Sequence, residues 1–383
     1  MYFVKTEELK AGMRLACAVY DKKGEVLHER DSKLTGQEIM NIKNLGFIGL
    51  FVLESAEPAP PMTEEEIELD RFRAMTVFSI QEELESIANN TKAPKTDSIV
   101  SGIIRQYGHL DNKITFYQNI RSKEDFIFKH STNVAILCAI ITSRMNLKVE
   151  ERLETVTAAV AHDVGKLELE AHIINKTELS ESEAGLVHFK ETEGFERIKE
   201  VYSNGSVIRR ICEQAENALY AFKTGEFDRK QFEKSTQKYI GARVLIVAEV
   251  FDTMTAMQAE KAPESRVKAI KYLRDHSDIF DSRVVDALSD SLNILSAGVS
   301  VELNTGDKAL VITENERDIL RPMILCFKDN MMMDLSNREY DDIEIIDVAK
   351  TMDNRHFMDR NSGIQKDGHT EPVKAPKAGQ AGA

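Results

Sequence analysis

The residues best able to do chemistry together lie in Val160-Ala-His-Asp-Val-Gly-Lys166. His162 and Asp163 are adjacent and close an apolar run, Val156 to Ala161, and Gly165 and Lys166 follow at once. A neutral imidazole and a carboxylate are both good ligands for divalent iron, manganese or zinc. Neighbours on an α-helix point about 100° apart, so both reach one ion only if it sits near the helix end. Lys166, on the following turn, carries an ammonium that can neutralise a phosphate oxygen held at the same place. A bare dipeptide of this kind is far more often an ordinary surface pair at a helix C-terminus, so its meaning depends on what else the chain carries. His130, in Phe128-Lys-His-Ser-Thr-Asn-Val-Ala135, heads a strongly apolar helix, Val134 to Ile141. Such a histidine reads either as a hydrogen-bonded core residue or as a ligand. Val244 to Met254 is a hydrophobic helix interrupted by Glu249 and Asp252. A carboxylate buried there is costly unless it is paired or binds metal. His130, His162, Asp163 and Glu249 are therefore a candidate metal-ligand set, on three helices that must pack together.

The rest of the chain must position those helices. It has 383 residues, 42% hydrophobic and 30% charged, enough for sizeable cores and two or three domains. Its net charge of −14 argues against sequence-independent binding to DNA or RNA, which needs a basic face. No apolar run approaches the roughly 18 residues of a membrane span, so no membrane partner is expected. The start, Met-Tyr-Phe-Val-Lys-Thr-Glu-Glu, has no apolar signal core. Cys17, Cys138, Cys212 and Cys326 lie far apart with no CxxC, which makes a reducing cytoplasm the expected setting.

Residues 1–56 read as a small α/β domain, with strands around the turn Asp21-Lys-Lys-Gly24, a helix capped by Thr35, and a buried strand Phe47 to Leu53. Residues 57–96 read as a linker through Pro58, Pro60 and Pro61, then a long helix headed by Thr63-Glu-Glu-Glu66, whose length suits homodimer formation. From 97 to 295 helical periodicity prevails. Residues 296–350 read as a short β extension, with a hairpin Val299–Leu303/Lys308–Ile312 and a further strand Met323–Phe327. Met331-Met-Met333 reads as edge strand or loop filler, and 351–383 as a disordered tail. The expected class is mainly α, a helical bundle with β-containing units at both ends.

The order of motifs resembles the HD-GYP branch of the HD superfamily of metal-dependent phosphohydrolases. Phe128-Lys-His-Ser-Thr-Asn-Val-Ala is similar to its first-histidine motif, Ala161-His-Asp-Val-Gly-Lys to HD-x-GK, and Val247-Ala-Glu-Val-Phe-Asp-Thr-Met-Thr-Ala256 to the segment usually written AD-x-FDA. Phe280-Asp-Ser-Arg-Val-Val-Asp-Ala-Leu and Ile294 to Ile312 fit the end of the domain. Leu9-Lys-Ala-Gly-Met-Arg-Leu and Leu34-Thr resemble the small domain often placed before such modules. The resemblance implies an HD-type helical bundle, bound iron or manganese, and hydrolysis of cyclic di-GMP or a related nucleotide phosphate ester. It implies His130, His162, Asp163 and Glu249 as metal ligands, with Asp163 and Lys166 as the catalytic pair.

Departures from the family pattern cluster at the second metal. Where the family has K-H-P-x-x-G, this chain has Val187-His-Phe-Lys-Glu-Thr-Glu-Gly194, which places Lys190 at the histidine. Gln214 and Ala215 stand at the paired histidines of HHE, with only Glu216 kept. No GYP follows, Phe126 stands where three-metal members carry a glutamate, and Glu249 replaces the aspartate of AD. Gln is a weak ligand, Ala none, and Lys repels a cation, so one metal is expected and a second is doubtful. Lys166, Lys190, Arg209 and Arg210 are the basic residues available to a substrate phosphate, although a solvated helix face is the commoner reading for the two arginines. The reading is a phosphodiesterase with a reduced metal site. The alternative is an inactive signalling module that binds a nucleotide or a protein partner.

Overall fold

The computed structural model describes residues 2–21, 25–53, 62–91, 95–109, 112–174, 176, 178–257 and 262–349. The expected proline linker, the tip of the first turn and the C-terminal tail lie outside the described residues. Strands β1 (Tyr2–Lys5), β2 (Arg14–Leu15), β3 (Val19–Tyr20) and β4 (Val26–His28) precede helix α1 (Gly36–Asn44) and strand β5 (Gly49–Leu53). β5 pairs antiparallel with β1 and β2, in the order β1-β5-β2, while β3 and β4 form a separate ribbon. Thr35 caps α1 through a reciprocal capping box with Glu38. Leu15, Ile42, Leu50 and Val52 are fully buried between α1 and the sheet.

The helical part contains α2 (Glu64–Ala88), α3 (Thr96–Tyr107), α4 (Phe126–Arg144), α5 (Val149–Ala161), α6 (Ala171–Ile174), α7 (Glu181–Val201), α8 (Gly205–Thr224), α9 (Arg229–Thr236), α10 (Ile240–Thr255), α11 (Arg266–Asp275) and α12 (Ser282–Ser289). A 3-10 turn, Val164–Glu168, follows α5. Thr63 and Glu66 close a capping box at the start of α2, as the sequence predicts. α4 lies at the centre, packed by α2, α3, α5, α10 and α12. Its residues 130–142 are buried without a break. A helix apolar on every face has no solvent side, and each fully buried Ile, Leu or Val contributes about 1.5–3 kcal/mol. By length and composition α4 could cross a membrane, yet 83% of its most apolar window is buried inside this bundle.

After α12 come β6 (Ser300–Leu303), β7 (Lys308–Thr313), β8 (Met323–Cys326), β9 (Met332–Asp334) and β10 (Ile345–Val348). They form one antiparallel sheet in the order β10-β6-β7-β8-β9. Gly306, at φ 82°, makes the turn between β6 and β7 that the Asn304–Asp307 motif predicts. Sequence patterning reads three of the five strands clearly. β10 is missed because Ile345–Val348 alternates over only four residues and pairs with β6, some 40 positions earlier. Residues 1–350 pack as one unit, mainly α, with a small α/β part and a C-terminal sheet.

Candidate metal centre

Three segments deliver the candidate ligands. α4 presents His130 one turn from its start, the end of α5 presents His162 and Asp163, and α10 presents Glu249. His130 Nε2 lies 2.6 Å from Glu249 Oε2, and His162 Nε2 lies 3.0 Å from the same oxygen. His162 Nε2 is 3.3 Å from Asp163 Oδ1, and His130 Nε2 is 3.8 Å from Asp163 Oδ2. His130, His162 and Asp163 each offer a ligand atom, all within 4.8 Å of one another. The helix end explains how adjacent residues share the place: α5 stops at Ala161, and Asp163 already has non-helical backbone angles, φ −93° and ψ 10°.

The outer nitrogens of both rings are engaged. His162 Nδ1 donates to the Ala159 carbonyl over 2.8 Å, and His130 Nδ1 donates to Asp252 Oδ2 over 2.6 Å. In the neutral, ligating form of each ring this bond keeps the proton on Nδ1 and leaves Nε2 toward Glu249. Two imidazole nitrogens and two carboxylates, converging and mostly desolvated, suit one divalent transition metal by donor type and count.

Charge balance explains how this cluster stays buried. Burial alone pushes His130 down, but the Glu249 charge and the hydrogen bonds to Asp252 and Glu249 override it and raise the imidazole to about 10. Burial likewise opposes the charge on Glu249, yet His130 and Lys166 hold its carboxyl well below the usual range. Asp252 is depressed against burial by the Arg121 guanidinium and by His130.

Lys166 points into the same space. Its Nζ donates to Asp163 Oδ1 over 2.7 Å and lies 3.0 Å from Glu191 Oε1. Two close backbone approaches create this neighbourhood. A Cβ on Gly165 would sit 2.1 Å from the Lys190 carbonyl oxygen, and one on Gly194 would sit 2.7 Å from the Gly165 nitrogen. The 3-10 turn therefore lies directly on α7, and Glu191 is brought beside Lys166. Glu191 hydrogen-bonds Glu216 of α8. Burial and the neighbouring Glu216 raise the Glu191 carboxyl well above its ordinary value, and burial raises Glu216. Two desolvated carboxyls this close share a proton. His188 Nδ1 is 3.0 Å from Glu216 Oε1, and its ring stacks on Tyr220 at 4.1 Å.

The four expected ligands and Lys166 are thus brought together, and the other expected basic residues are not. Lys190 faces outward, paired with Glu168 and Glu193, because one step along α7 turns a side chain by about 100° and it is Glu191 that faces in. Arg209 is held by Glu196 and Glu213. Arg210 lines a separate cavity of about 510 Å³ with Gln214, Lys234 and Tyr239. Gln214 donates to the Ser235 carbonyl, and two positions along α8, about 200° round the helix, Glu216 faces Glu191 instead. Phe126 places its ring against the Arg121 guanidinium at 4.9 Å. Among the described residues, the positions of the family's second histidine set therefore supply no second group of imidazoles. Sequence reasoning missed Glu191 and Arg121. A signal existed only for Asp252, a second carboxylate in an apolar helix.

An HD domain model matches residues 115–284, the segment that carries all four candidate ligands. The chain is 22% identical over 236 residues to a cyclic di-GMP phosphodiesterase of Pseudomonas aeruginosa, a match covering 60% of this chain and 54% of that protein. It is 24% identical over 172 residues to 3'3'-cGAMP-specific phosphodiesterase 1 of Vibrio cholerae, covering 44% of this chain and 38% of that one. The chain thus spans about half, or less, of the length of these curated relatives. A solved structure of an HDG"Y"P protein from Bdellovibrio bacteriovorus aligns with a TM-score of 0.44 at 12% identity, covering 75% of this chain and 98% of that one. The domain match falls on the helices that bear the HD pair, so residues 115–284 of this chain make up an HD domain.

Proposed function

We propose that the chain is a metal-dependent phosphodiesterase that hydrolyses a cyclic dinucleotide to a linear product at a one-metal site. The observation that carries this is the convergence of His130 Nε2, His162 Nε2 and Asp163 on the carboxylate of Glu249, with Lys166 reaching the same place. His130, His162, Asp163 and Glu249 hold the ion. A divalent ion bound there supplies Lewis acidity to a phosphoryl oxygen and lowers the pKa of water. With the ion bound, Asp163 would accept the proton of the water that attacks phosphorus, while the P–O bond to the leaving ribose oxygen breaks and that oxygen takes a proton from solvent. Lys166, with its side chain 22% exposed, turns from Asp163 to a non-bridging phosphate oxygen and offsets the charge that grows there. Glu191 holds the Lys166 ammonium beside this place and is itself hydrogen-bonded to Glu216. His130 and His162 keep Nε2 inward because Asp252 and Ala159 hold their outer nitrogens.

The substrate class follows from the relatives, one named for cyclic di-GMP and one for 3'3'-cGAMP. The ion we assign is iron or manganese. Four unpaired, buried cysteines support a cytoplasmic setting. The test is incubation of the manganese-loaded chain with cyclic di-GMP and, separately, 3'3'-cGAMP, with chromatography for the linear dinucleotide. Turnover abolished by His162→Ala is the expected result. Tight binding of either nucleotide with no linear product from manganese- or iron-loaded protein would overturn the enzymatic reading in favour of a receptor.

A further inference from the structure

The N-terminal unit reaches the candidate ligands through one arginine. Its residues just before β5 lie along the chain at 120–122. The Ile48 N–H donates to the Arg121 carbonyl over 2.8 Å, and Phe47 and Ser122 form an antiparallel bridge. Thr6 grips the same two residues: its N–H donates to the Ile48 carbonyl over 3.1 Å and its hydroxyl to the Phe47 carbonyl over 2.5 Å. Ile120 is buried in the N-terminal core with Ile42, Leu50 and Val52. Lys129, the neighbour of His130, stands over the Phe47 ring at 5.3 Å and donates to the Ile120 carbonyl.

With its backbone fixed in this way, Arg121 sends its side chain to the metal-ligand cluster. It is fully buried, and Nη2 donates to Asp252 Oδ2 over 2.6 Å and to Gln118 Oε1 over 3.2 Å. That same Asp252 oxygen accepts from His130 Nδ1 at 2.6 Å, while Asn133 donates to the other oxygen over 2.8 Å. Nε and Nη1 of Arg121 have no hydrogen-bond partner among the described residues. Orphaned buried N–H groups each cost about 1–3 kcal/mol, so packing alone would favour an apolar side chain here. The contact that offsets this cost is the one to Asp252.

We infer that Arg121 is a positioning residue, held from outside by Thr6, Phe47 and Ile48, which orients His130 through Asp252 and so makes the N-terminal unit part of the metal site. The inference rests on the reading of His130 as a metal ligand. Neither Arg121 nor Asp252 touches reacting atoms. Asp252 needs a countercharge to remain an acceptor in this dry interior, and its distance to His130 follows from where Arg121 holds it. Removing an outer partner of a ligating histidine typically lowers metal affinity 10- to 100-fold.

The test is calorimetric titration of the chelator-stripped, full-length chain with Mn²⁺ alone, with circular dichroism to verify folding and Co²⁺ absorption spectra to report ligand geometry. Arg121→Gln and Asp252→Asn are each expected to weaken Mn²⁺ binding about 10- to 100-fold and to shift the Co²⁺ bands. The double variant is expected to lose no more than the worse single variant, since both act through one contact. Arg121→Lys is expected to recover part of the loss. Phe47→Ala, which takes away the ring under Lys129 and so loosens the N-terminal contact with residues 120–122, is expected to weaken binding less than Arg121→Gln does. Folded Arg121→Gln with wild-type Mn²⁺ affinity and spectrum, or losses that add in the double variant, would overturn the inference. If Arg121→Gln does not fold, unchanged Mn²⁺ affinity in folded Phe47→Ala overturns it. A wild-type chain that takes up no metal overturns the metal-site reading, and the inference falls with it.

Discussion

The Nζ of Lys166 lies 3.0 Å from Oε1 of Glu191, so the chain carries its own cation against an acidic wall of the candidate site. Lys166→Met leaves Asp163 and the Glu191–Glu216 pair without that charge. Removing one partner of a buried ion pair costs about 3–5 kcal/mol, partly relieved here because the two glutamates can hold a second proton. A loss of about 2–4 kcal/mol in urea denaturation is expected, together with loss of turnover. A variant as stable as the wild type would show that the ammonium is not held in this place in solution.

The ligand set makes the next prediction. His162→Ala deletes one of the two imidazoles that face Glu249 Oε2. It should lower Mn²⁺ affinity by more than about 100-fold, beyond the range seen when only an outer partner is lost. Metal analysis of the purified chain after dialysis is the measurement. Retention of a full equivalent would mean that the ion sits elsewhere.

Glu83, on α2, offers a pH test away from the centre. It is 1% exposed, and its Oε1 has no hydrogen-bond partner among the described residues. Burial raises its carboxyl from 4.5 to about 7. Between those values the folded chain binds the proton and the unfolded chain does not, so stability falls as pH rises through the window. The loss is complete above the folded value and amounts to at most about 3 kcal/mol. Glu83→Gln keeps the shape without the charge. It should flatten this part of the stability–pH curve and raise the melting temperature at pH 8. Parallel curves for the two proteins would show that Glu83 does not titrate in this way.

The contact between Gly165 and Gly194 sets a steric limit. A methyl group on Gly194 meets the Gly165 nitrogen at 2.7 Å, and backbone atoms cannot swing aside. Gly194→Ala should cost about 3 kcal/mol through overpacking and weaken metal binding, because the turn carrying Asp163 and Lys166 must lift from α7. Gly185→Ala, on the same helix with only the Tyr220 hydroxyl near at 3.9 Å, is the control expected to be neutral or slightly stabilising.

Legibility in the sequence followed locality. The HD pair, His130 and Glu249 stood out because polar residues interrupt strongly apolar helices, an anomaly one stretch of sequence reveals by itself. The capping boxes at Thr35 and Thr63 and the β6–β7 turn are local in the same sense. Arg121 was invisible because it lies outside any periodic segment and its partner Asp252 is 131 positions away. Glu191 was overlooked beside Lys190, since alignment on Gly194 assigns a position but not which way the neighbouring side chain faces. β9 and β10 are too short for alternation to distinguish them from loop.

The bonds that close the centre join residues 87 to 131 positions apart. A nascent chain still lacking Ile240–Thr255 therefore has no Glu249 and no Asp252, and the greasy flanks of α4 and α5 that α10 covers stay bare until then. Such surface invites self-association while translation continues, and closing loops of this length slows maturation. No ion can therefore be captured with all four ligands until the ribosome has passed Glu249.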